Sequence, residues 1–258
     1  MRPSLAGPPA LLIEAAAWLG TLALVLALAL ATAPLDGLWG GPALLALFLY
    51  AAAAFIALRG LVHHAPLRRF GIANVITAAR AAAAAFIAGL ALIADEAAVP
   101  ARSLAVVIGG IALFCDGLDG WAARRTGLAS RFGARFDMEV DALFTLIITF
   151  MLLRVGQVAA WVLAVGLIRY IFVLAGWLWP PLARPLPPST RRKAACVAVI
   201  LALLAALTPC VDPPAAGVIC AAGLAMLIYS FATDCLWLVR YSRAATAPQT
   251  QPCRPEAA

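Results

Sequence analysis

Four aspartates lie close together in one stretch of the chain, at Asp116, Asp119, Asp137 and Asp141. Their separations of three and four residues place each pair on one face of a helix. Carboxylates that meet in a partly desolvated place repel one another unless a cation lies between them. Carboxylate oxygens are ligands that Mg²⁺ and Mn²⁺ prefer, and no His or Cys lies within the motif. The spacing and the oxygen ligands therefore predict one or two divalent cations such as Mg²⁺ or Mn²⁺ rather than Zn²⁺.

Small residues share the two faces that carry these aspartates. Gly120 and Ala123 continue the first face and Gly133 opens the second. Small side chains leave room for a ligand to approach the helix. Only Glu139 lies off the two faces, so a solvated acidic helix end explains the pattern less well than a binding site does.

The same residues resemble a known signature. Asp-x-x-Asp-Gly-x-x-Ala-Arg, eight residues, then Gly-x-x-x-Asp-x-x-x-Asp is typical of the CDP-alcohol phosphatidyltransferase family, and the chain matches every fixed position. The resemblance covers residues 68–243. It implies transfer of a phosphatidyl group from a CDP-linked lipid, such as CDP-diacylglycerol, to an alcohol acceptor with release of CMP. Membrane lipid is the implied surrounding, and a homodimer is compatible with the resemblance.

The resemblance also assigns roles to the motif residues. Asp116, Asp119 and Asp137 correspond to metal ligands for two ions of Mg²⁺ or Mn²⁺. Asp141 is metal-associated as well, and it corresponds to the general base that takes the proton of the incoming hydroxyl. The motif residues expected to bind substrate are Gly120, Ala123, Arg124 and Gly133.

Four residues outside the motif are further candidates for substrate binding. Asn74, Thr77 and Arg80 resemble the Asn-x-x-Thr-x-x-Arg that opens the family's first conserved helix; the alternative is a cap by Asn74 and an Arg80 that extends to the membrane surface. Arg169 lies about 15 Å into an apolar run at the usual helical rise. A charge at that depth indicates a polar cavity. Arg169 is expected to contact the acceptor's phosphate or a motif carboxylate, and a structural ion pair is the alternative.

The acceptor alcohol stays open. Some family members carry a Gly-Lys-x-x-Thr-like element for a phosphorylated acceptor. Around Lys193 this chain has Arg192 in place of the Gly and Cys196 in place of the Thr. These departures argue against glycerol phosphate, but the sequence does not identify the acceptor among glycerol phosphate, inositol phosphate, serine, choline and other alcohols.

Composition predicts an all-α integral membrane protein. Hydrophobic residues make up 65% of the 258 residues and charged residues 12%, against about a quarter charged in soluble domains. At about 20 residues per span, the apolar runs predict eight transmembrane helices, six in the family core and two at the N-terminus. The runs are 11–33, 41–58, 72–94, 104–123, 136–153, 159–178, 194–207 and 215–239.

Three segments are predicted from these runs. Residues 1–67 form an N-terminal membrane segment with two helices and a basic linker, and residues 68–243 form the transferase domain. Residues 244–258 are polar and contain Pro, so they are predicted to be a disordered cytoplasmic tail. The first run ends in Ala31-Thr-Ala33, which resembles a signal-peptide cleavage site. Its length and Glu14 favour a retained helix.

The placement of basic residues predicts the orientation. The loops on one side carry only Arg102 and Arg154. The other side carries Arg59, Arg68, Arg69, Arg124, Arg125, Arg131, Arg135, Arg184, Arg191, Arg192, Lys193, Arg240 and Arg243. Because Lys and Arg collect on the cytoplasmic side, both termini and the Asp motif are expected to face the cytoplasm, with the chain in the cell (inner) membrane.

Three other functions fit the sequence less well. No basic segment is long enough to indicate nucleic-acid binding. A transporter would also contain buried charges, but it should show paired halves with interrupted helices. A non-catalytic membrane scaffold does not require four aspartates on two helix faces. Phosphatidyl transfer, which the resemblance implies, is the predicted function, and the transporter and the scaffold remain the alternatives.

Overall fold

The computed structural model describes residues 8–61, 69–94, 98–126, 130–179 and 189–246. Within these ranges the chain forms α-helices and a short 3₁₀ turn at Ala160–Val162, and no strand. The predicted all-α fold of eight helices is confirmed. The helices are α1 (Pro8–Thr32), α2 (Gly41–Gly60), α3 (Ile72–Leu92), α4 (Ala98–Thr126), α5 (Arg131–Arg154), α6 (Leu163–Leu178), α7 (Thr190–Leu207) and α8 (Pro213–Thr246).

Six of these helices are long and apolar enough to cross a membrane: α1, α2, α3, α4, α6 and α8. The chain is accordingly an integral membrane protein. Helices α5 and α7 have polar first turns, since α5 carries the second half of the Asp motif and α7 begins with Arg191, Arg192 and Lys193. Their charged residues at one end make them less apolar than the other six helices, but both pack within the same bundle.

Helix α3 lies at the centre of the bundle. In its most apolar stretch of 18 residues, 72% of the stretch is buried inside the protein. In the corresponding stretches of the other candidate spans the buried share is 17–28%. Helices α1, α2, α4 and α5 all pack against it. The run of alanines from Ala81 to Ala85 permits this, because small side chains let neighbouring helices approach closely in lipid. A polar side chain on α3 is thus placed inside the protein.

The two N-terminal helices pack onto the rest of the bundle. The buried hydroxyl of Tyr50 on α2 donates a hydrogen bond of 3.0 Å to the carbonyl of Leu19 on α1. The last turn of α2 reaches the first turn of α5, where a Cβ at Gly60 would lie 2.8 Å from the Phe132 ring. The N-terminal segment therefore supports the helix that carries Asp137 and Asp141.

At the opposite end of the bundle, Arg102 joins α4 to α7. Its Nε and Nη2 each donate a hydrogen bond of 2.9 Å, to the carbonyls of Leu207 and Thr208. These carbonyls lie at the C-terminal end of α7, where no N–H of the helix reaches them. The Thr208 carbonyl also accepts a 3.0 Å hydrogen bond from the backbone N–H of Val211 in the following turn. Arg102 thus fixes the end of α4 that lies far from the Asp motif.

The predicted segment boundaries at 67 and 243 remain predictions. The basic linker after α2 falls mostly on residues 62–68, which lie outside the described ranges, as do residues 247–258 of the predicted tail. Helix α8 continues to Thr246, three residues into the segment predicted as disordered. Its last residues extend past the apolar run, as a helix can where it leaves the hydrocarbon.

Candidate active site

Three of the four motif aspartates, from the second half of α4 and the first half of α5, converge on one place. Asp116, Asp137 and Asp141 are half-buried, and each offers a carboxylate oxygen within 4.8 Å of the others. The first turn of α5 is ordered by its N-cap, since the Ser130 hydroxyl accepts a 2.9 Å hydrogen bond from the backbone N–H of Gly133. The convergence predicted from the helical spacing is present at these three residues.

A buried arginine from the central helix completes this cluster. The Arg80 side chain is 4% exposed, and its Nη1 lies 2.6 Å from Asp116 Oδ1 and 2.7 Å from Asp137 Oδ1. Its Nη2 donates to Asp141 Oδ1. Arg80 is therefore not extended to the membrane surface. We call Arg80, Asp116, Asp137 and Asp141 the carboxylate cluster.

Asn74 and Thr77 lie on the same helix as Arg80 and are also buried. Asn74 Nδ2 donates to the carbonyl of Phe70, and Thr77 Oγ1 donates a 3.1 Å hydrogen bond to the carbonyl of Ala73. The N-cap of α3 is Gly71, so Asn74 is not the cap. The substrate contacts expected for Asn74, Thr77 and Arg80 remain predictions.

The position of Asn74 also explains why the second half of the motif begins with a glycine, Gly133. A Cβ at Gly133 would lie 2.8 Å from Asn74 Oδ1 and 3.3 Å from Ser130 Oγ. The absence of a side chain there lets α5 approach α3, and this close approach helps to hold Asp137 and Asp141 near Arg80. The nucleotide contact expected at Gly133 remains a prediction.

We expect Gly133→Ala to lower both stability and activity. Because Asn74 and Ser130 are held by hydrogen bonds, the added methyl group forces α5 away from α3, and overpacking of this kind costs about 1–3 kcal/mol. Thermal unfolding in detergent and turnover measure the two effects. Gly110→Ala on α4 is the matched control, since nothing lies within 4 Å of its Cβ position. A Gly133→Ala variant as stable as the control would contradict the close approach.

Four predicted site residues can be placed only on their helix. Asp119, Gly120, Ala123 and Arg124 lie on α4, one to two turns beyond Asp116. Their side chains fall outside the described part of the chain. Their predicted contacts with metal, nucleotide and phosphate stay predictions.

Arg169 on α6 pairs with Glu139 on α5. Glu139 is the acidic residue that lies off the two motif faces, and it points toward α6 rather than toward the carboxylate cluster. Arg169 is 27% exposed and its Nε has no partner within the described residues. The structure thus shows the ion pair that was the alternative for Arg169; the acceptor contact is still a prediction.

An ion-pair network that was not predicted from the sequence joins the start of α7 to α8. Arg191 Nη2 lies 2.6 Å from Asp234 Oδ1, and Arg192 Nη1 lies 3.4 Å from the same oxygen. Arg191 also donates to the carbonyl of Ser230 at 3.0 Å and to the Thr233 hydroxyl. Asp234 could have indicated this network, because it is a carboxylate inside an apolar run, where a charge needs a partner. This network positions the basic first turn of α7.

The donor set of the carboxylate cluster fits a hard divalent cation. Its three aspartates offer oxygen only, and the described residues place no His or Cys ligand with them. Oxygen ligands of this kind suit Mg²⁺ or Mn²⁺ better than zinc. The fold and the site thus define an integral membrane protein with a carboxylate site suited to such a cation.

The sequence model for CDP-alcohol phosphatidyltransferase matches residues 70–233, which is well over half of the chain. The chain belongs to the CDP-alcohol phosphatidyltransferase family, and its reaction class is phosphatidyl transfer from a CDP-alcohol. The match begins just before α3 and ends within α8, so it includes the carboxylate cluster and leaves out α1 and α2. No solved structure matches the chain.

Proposed function

We propose that this protein transfers the phosphatidyl group of CDP-diacylglycerol to an alcohol, with release of CMP, and that the reaction requires Mg²⁺ or Mn²⁺. The observation that carries the proposal is the convergence of Asp116, Asp137 and Asp141 from two helices onto one place, with their oxygens within 4.8 Å. Family membership supplies the reaction class, and the oxygen donors supply the reason to expect a divalent cation.

Asp116, Asp119, Asp137 and Asp141 would hold the ions. When bound, a pair of divalent cations neutralises the diphosphate and stabilises the attacking and leaving oxygens of the displacement. Asp116 reaches the cluster from α4, whereas Asp137 and Asp141 come from successive turns of α5. Because the two helices carry different members of the set, the relative position of α4 and α5 decides whether the set is complete.

Asp141 is the residue we assign to proton transfer. Its Oδ1 accepts from Arg80 Nη2, and its backbone carbonyl accepts a 2.8 Å hydrogen bond from Thr145 Oγ1. The contact with Arg80 restricts the orientation of the side chain. In the proposed reaction a carboxylate oxygen of Asp141 takes the proton of the acceptor hydroxyl as the hydroxyl oxygen attacks the lipid-linked phosphorus of the CDP-lipid. The bond between that phosphorus and the CMP oxygen breaks, and CMP leaves. A positioned base contributes to the rate in this way.

The carboxylate cluster is proposed to face the cytoplasm of the cell (inner) membrane. It lies at the end of the bundle where α2 ends with Arg59 and α7 begins with Arg191, Arg192 and Lys193. Arg102 and Arg154 lie at the opposite end. This asymmetry follows the positive-inside rule, and it would place the site where cytidine nucleotides are made.

The direct test is CMP release by the purified protein in detergent or liposomes, with CDP-diacylglycerol, Mn²⁺ or Mg²⁺, and a panel of alcohols. We expect CMP to form with at least one acceptor. Chelation with EDTA should reduce the rate to background, and added Mn²⁺ or Mg²⁺ should restore it, because the four carboxylates then regain their cations. Activity that survives exhaustive chelation would contradict the metal requirement. No CMP release with any acceptor would contradict the donor or the reaction.

A further inference from the structure

Arg80 occupies the centre of the site from a helix that carries none of the motif aspartates. It is a buried cation in contact with three carboxylates that are themselves expected to bind metal. We propose that Arg80 is the internal counter-cation of the carboxylate cluster, which holds the aspartates together before the metal binds and competes with the metal for them. This inference rests on the proposed function, because it concerns the same site.

The charge balance is the first argument. The described carboxylate cluster contains three carboxylates and one guanidinium. Three negative charges in partly buried surroundings repel one another, and a guanidinium with 4% exposure is costly unless it is paired. Each group therefore stabilises the other. The cluster keeps an excess of negative charge, so it can still attract a divalent cation.

The shared atoms are the second argument. Arg80 contacts one oxygen, Oδ1, of each aspartate in the cluster. A carboxylate has about four lone-pair positions, so it can accept from Arg80 and still offer a position to a metal. Each positive charge nevertheless weakens the attraction for the next one. Metal binding and the Arg80 contacts are then coupled, and the coupling has the same size in both directions.

Helix packing explains why an arginine on α3 is suited to this task. Asp116 belongs to α4, Asp137 and Asp141 belong to α5, and both helices pack against α3. A guanidinium has several donors in a rigid fork, so it can bridge carboxylates on two helices at once. Arg80 thus acts as a positioning residue: it sets the separation of the aspartates while no metal is bound.

The test is the affinity of the full-length protein for Mn²⁺, measured in detergent from the electron paramagnetic resonance signal of free Mn²⁺. We expect Arg80→Gln to bind Mn²⁺ at least about tenfold more tightly than the wild type, which corresponds to about 1.4 kcal/mol. A residue that only supports the ligands would give the opposite sign. Unchanged or weaker Mn²⁺ binding in Arg80→Gln overturns the proposal.

Thermal unfolding provides the second readout. In EDTA, Arg80→Gln should melt below the wild type, because three carboxylates are left without their counter-cation. Saturating Mn²⁺ should raise its Tm by more than it raises that of the wild type, since at a given Mn²⁺ concentration tighter binding to the native state stabilises it more. Equal Mn²⁺-induced shifts in the two proteins overturn the proposal.

Arg102→Gln is the matched control. It also removes an arginine that is held by hydrogen bonds, but at the opposite end of the bundle. It should lower the Tm equally with and without Mn²⁺. If Arg80→Gln does not fold even in Mn²⁺, Arg80→Met carries the test: methionine also removes the charge, so a larger Mn²⁺-induced shift than in the wild type supports the proposal, and an equal shift overturns it.

The same measurements separate this inference from the proposed function. If the wild type shows neither Mn²⁺ binding nor a Mn²⁺-induced shift in Tm, the metal requirement fails and the competition fails with it. If the wild type binds Mn²⁺ and releases CMP, but Arg80→Gln binds Mn²⁺ as the wild type does, only the role of Arg80 is rejected.

Discussion

Asp141→Asn is expected to lower kcat about 10²–10⁴-fold, the usual contribution of a positioned base. Asn keeps the size of the side chain and an oxygen that can accept from Arg80, but it cannot take the proton of the acceptor hydroxyl. Affinity for the CDP-lipid should be largely kept, because the other carboxylates remain. The measurement is kcat at saturating Mn²⁺ or Mg²⁺, together with the binding of CDP-diacylglycerol.

Asp212→Asn is the control for loss of one carboxylate. Asp212 lies between α7 and α8, at the end of the bundle opposite the carboxylate cluster, where its carbonyl accepts from the N–H of Ala216. Its replacement should leave kcat near the wild-type value. If Asp141→Asn turns over at a similar rate, Asp141 is not the base, and a substrate phosphate or a water must take the proton.

Asp116→Asn should weaken metal binding and turnover together. Asp116 is the described aspartate that α4 contributes to the cluster. Its replacement removes a charged oxygen ligand and one of the negative charges that face Arg80 Nη1. We expect the Mn²⁺ concentration needed for half-maximal activity to rise at least about tenfold, or about 1.4 kcal/mol. Part of the activity should return at high Mn²⁺, because the replacement weakens the binding of the metal and a higher metal concentration compensates for weaker binding.

The comparison of the two variants tests the division of roles. Activity of Asp116→Asn should recover as the metal concentration rises, whereas that of Asp141→Asn should stay low at every concentration. Titration of Mn²⁺ against turnover, with the Tm of each variant in EDTA and in Mn²⁺, measures both. If raising Mn²⁺ restores neither variant, or restores both equally, Asp116 and Asp141 have the same role.

The fold class could be predicted because lipid restricts the backbone to few solutions. A chain segment in the bilayer must satisfy its own hydrogen bonds, so an apolar run of sufficient length is a helix. The ends of the helices were predicted less accurately. Helix α4 begins at Ala98 and α7 at Thr190, ahead of the apolar runs that open at Leu104 and Ala194, because a helix continues where polar residues leave the hydrocarbon.

Part of the site could be predicted because helical periodicity decides which residues share a face. The separations within the Asp motif placed Asp137 and Asp141 on one face of α5 and Glu139 off it. The structure confirms this, since Glu139 pairs with Arg169 on α6. The identity of that partner was not predictable, because periodicity says nothing about which helix lies opposite a face.

The sequence by itself determined that the chain is a helical membrane protein and that four aspartates lie on two helical faces. Only the tertiary structure decided what those aspartates meet. Arg80 is separated from Asp137 by 57 residues and from Asp141 by 61, and Arg191 is separated from Asp234 by 43. Such pairs depend on which helices pack side by side and on their rotation, and both are set by the packing of the whole bundle around α3.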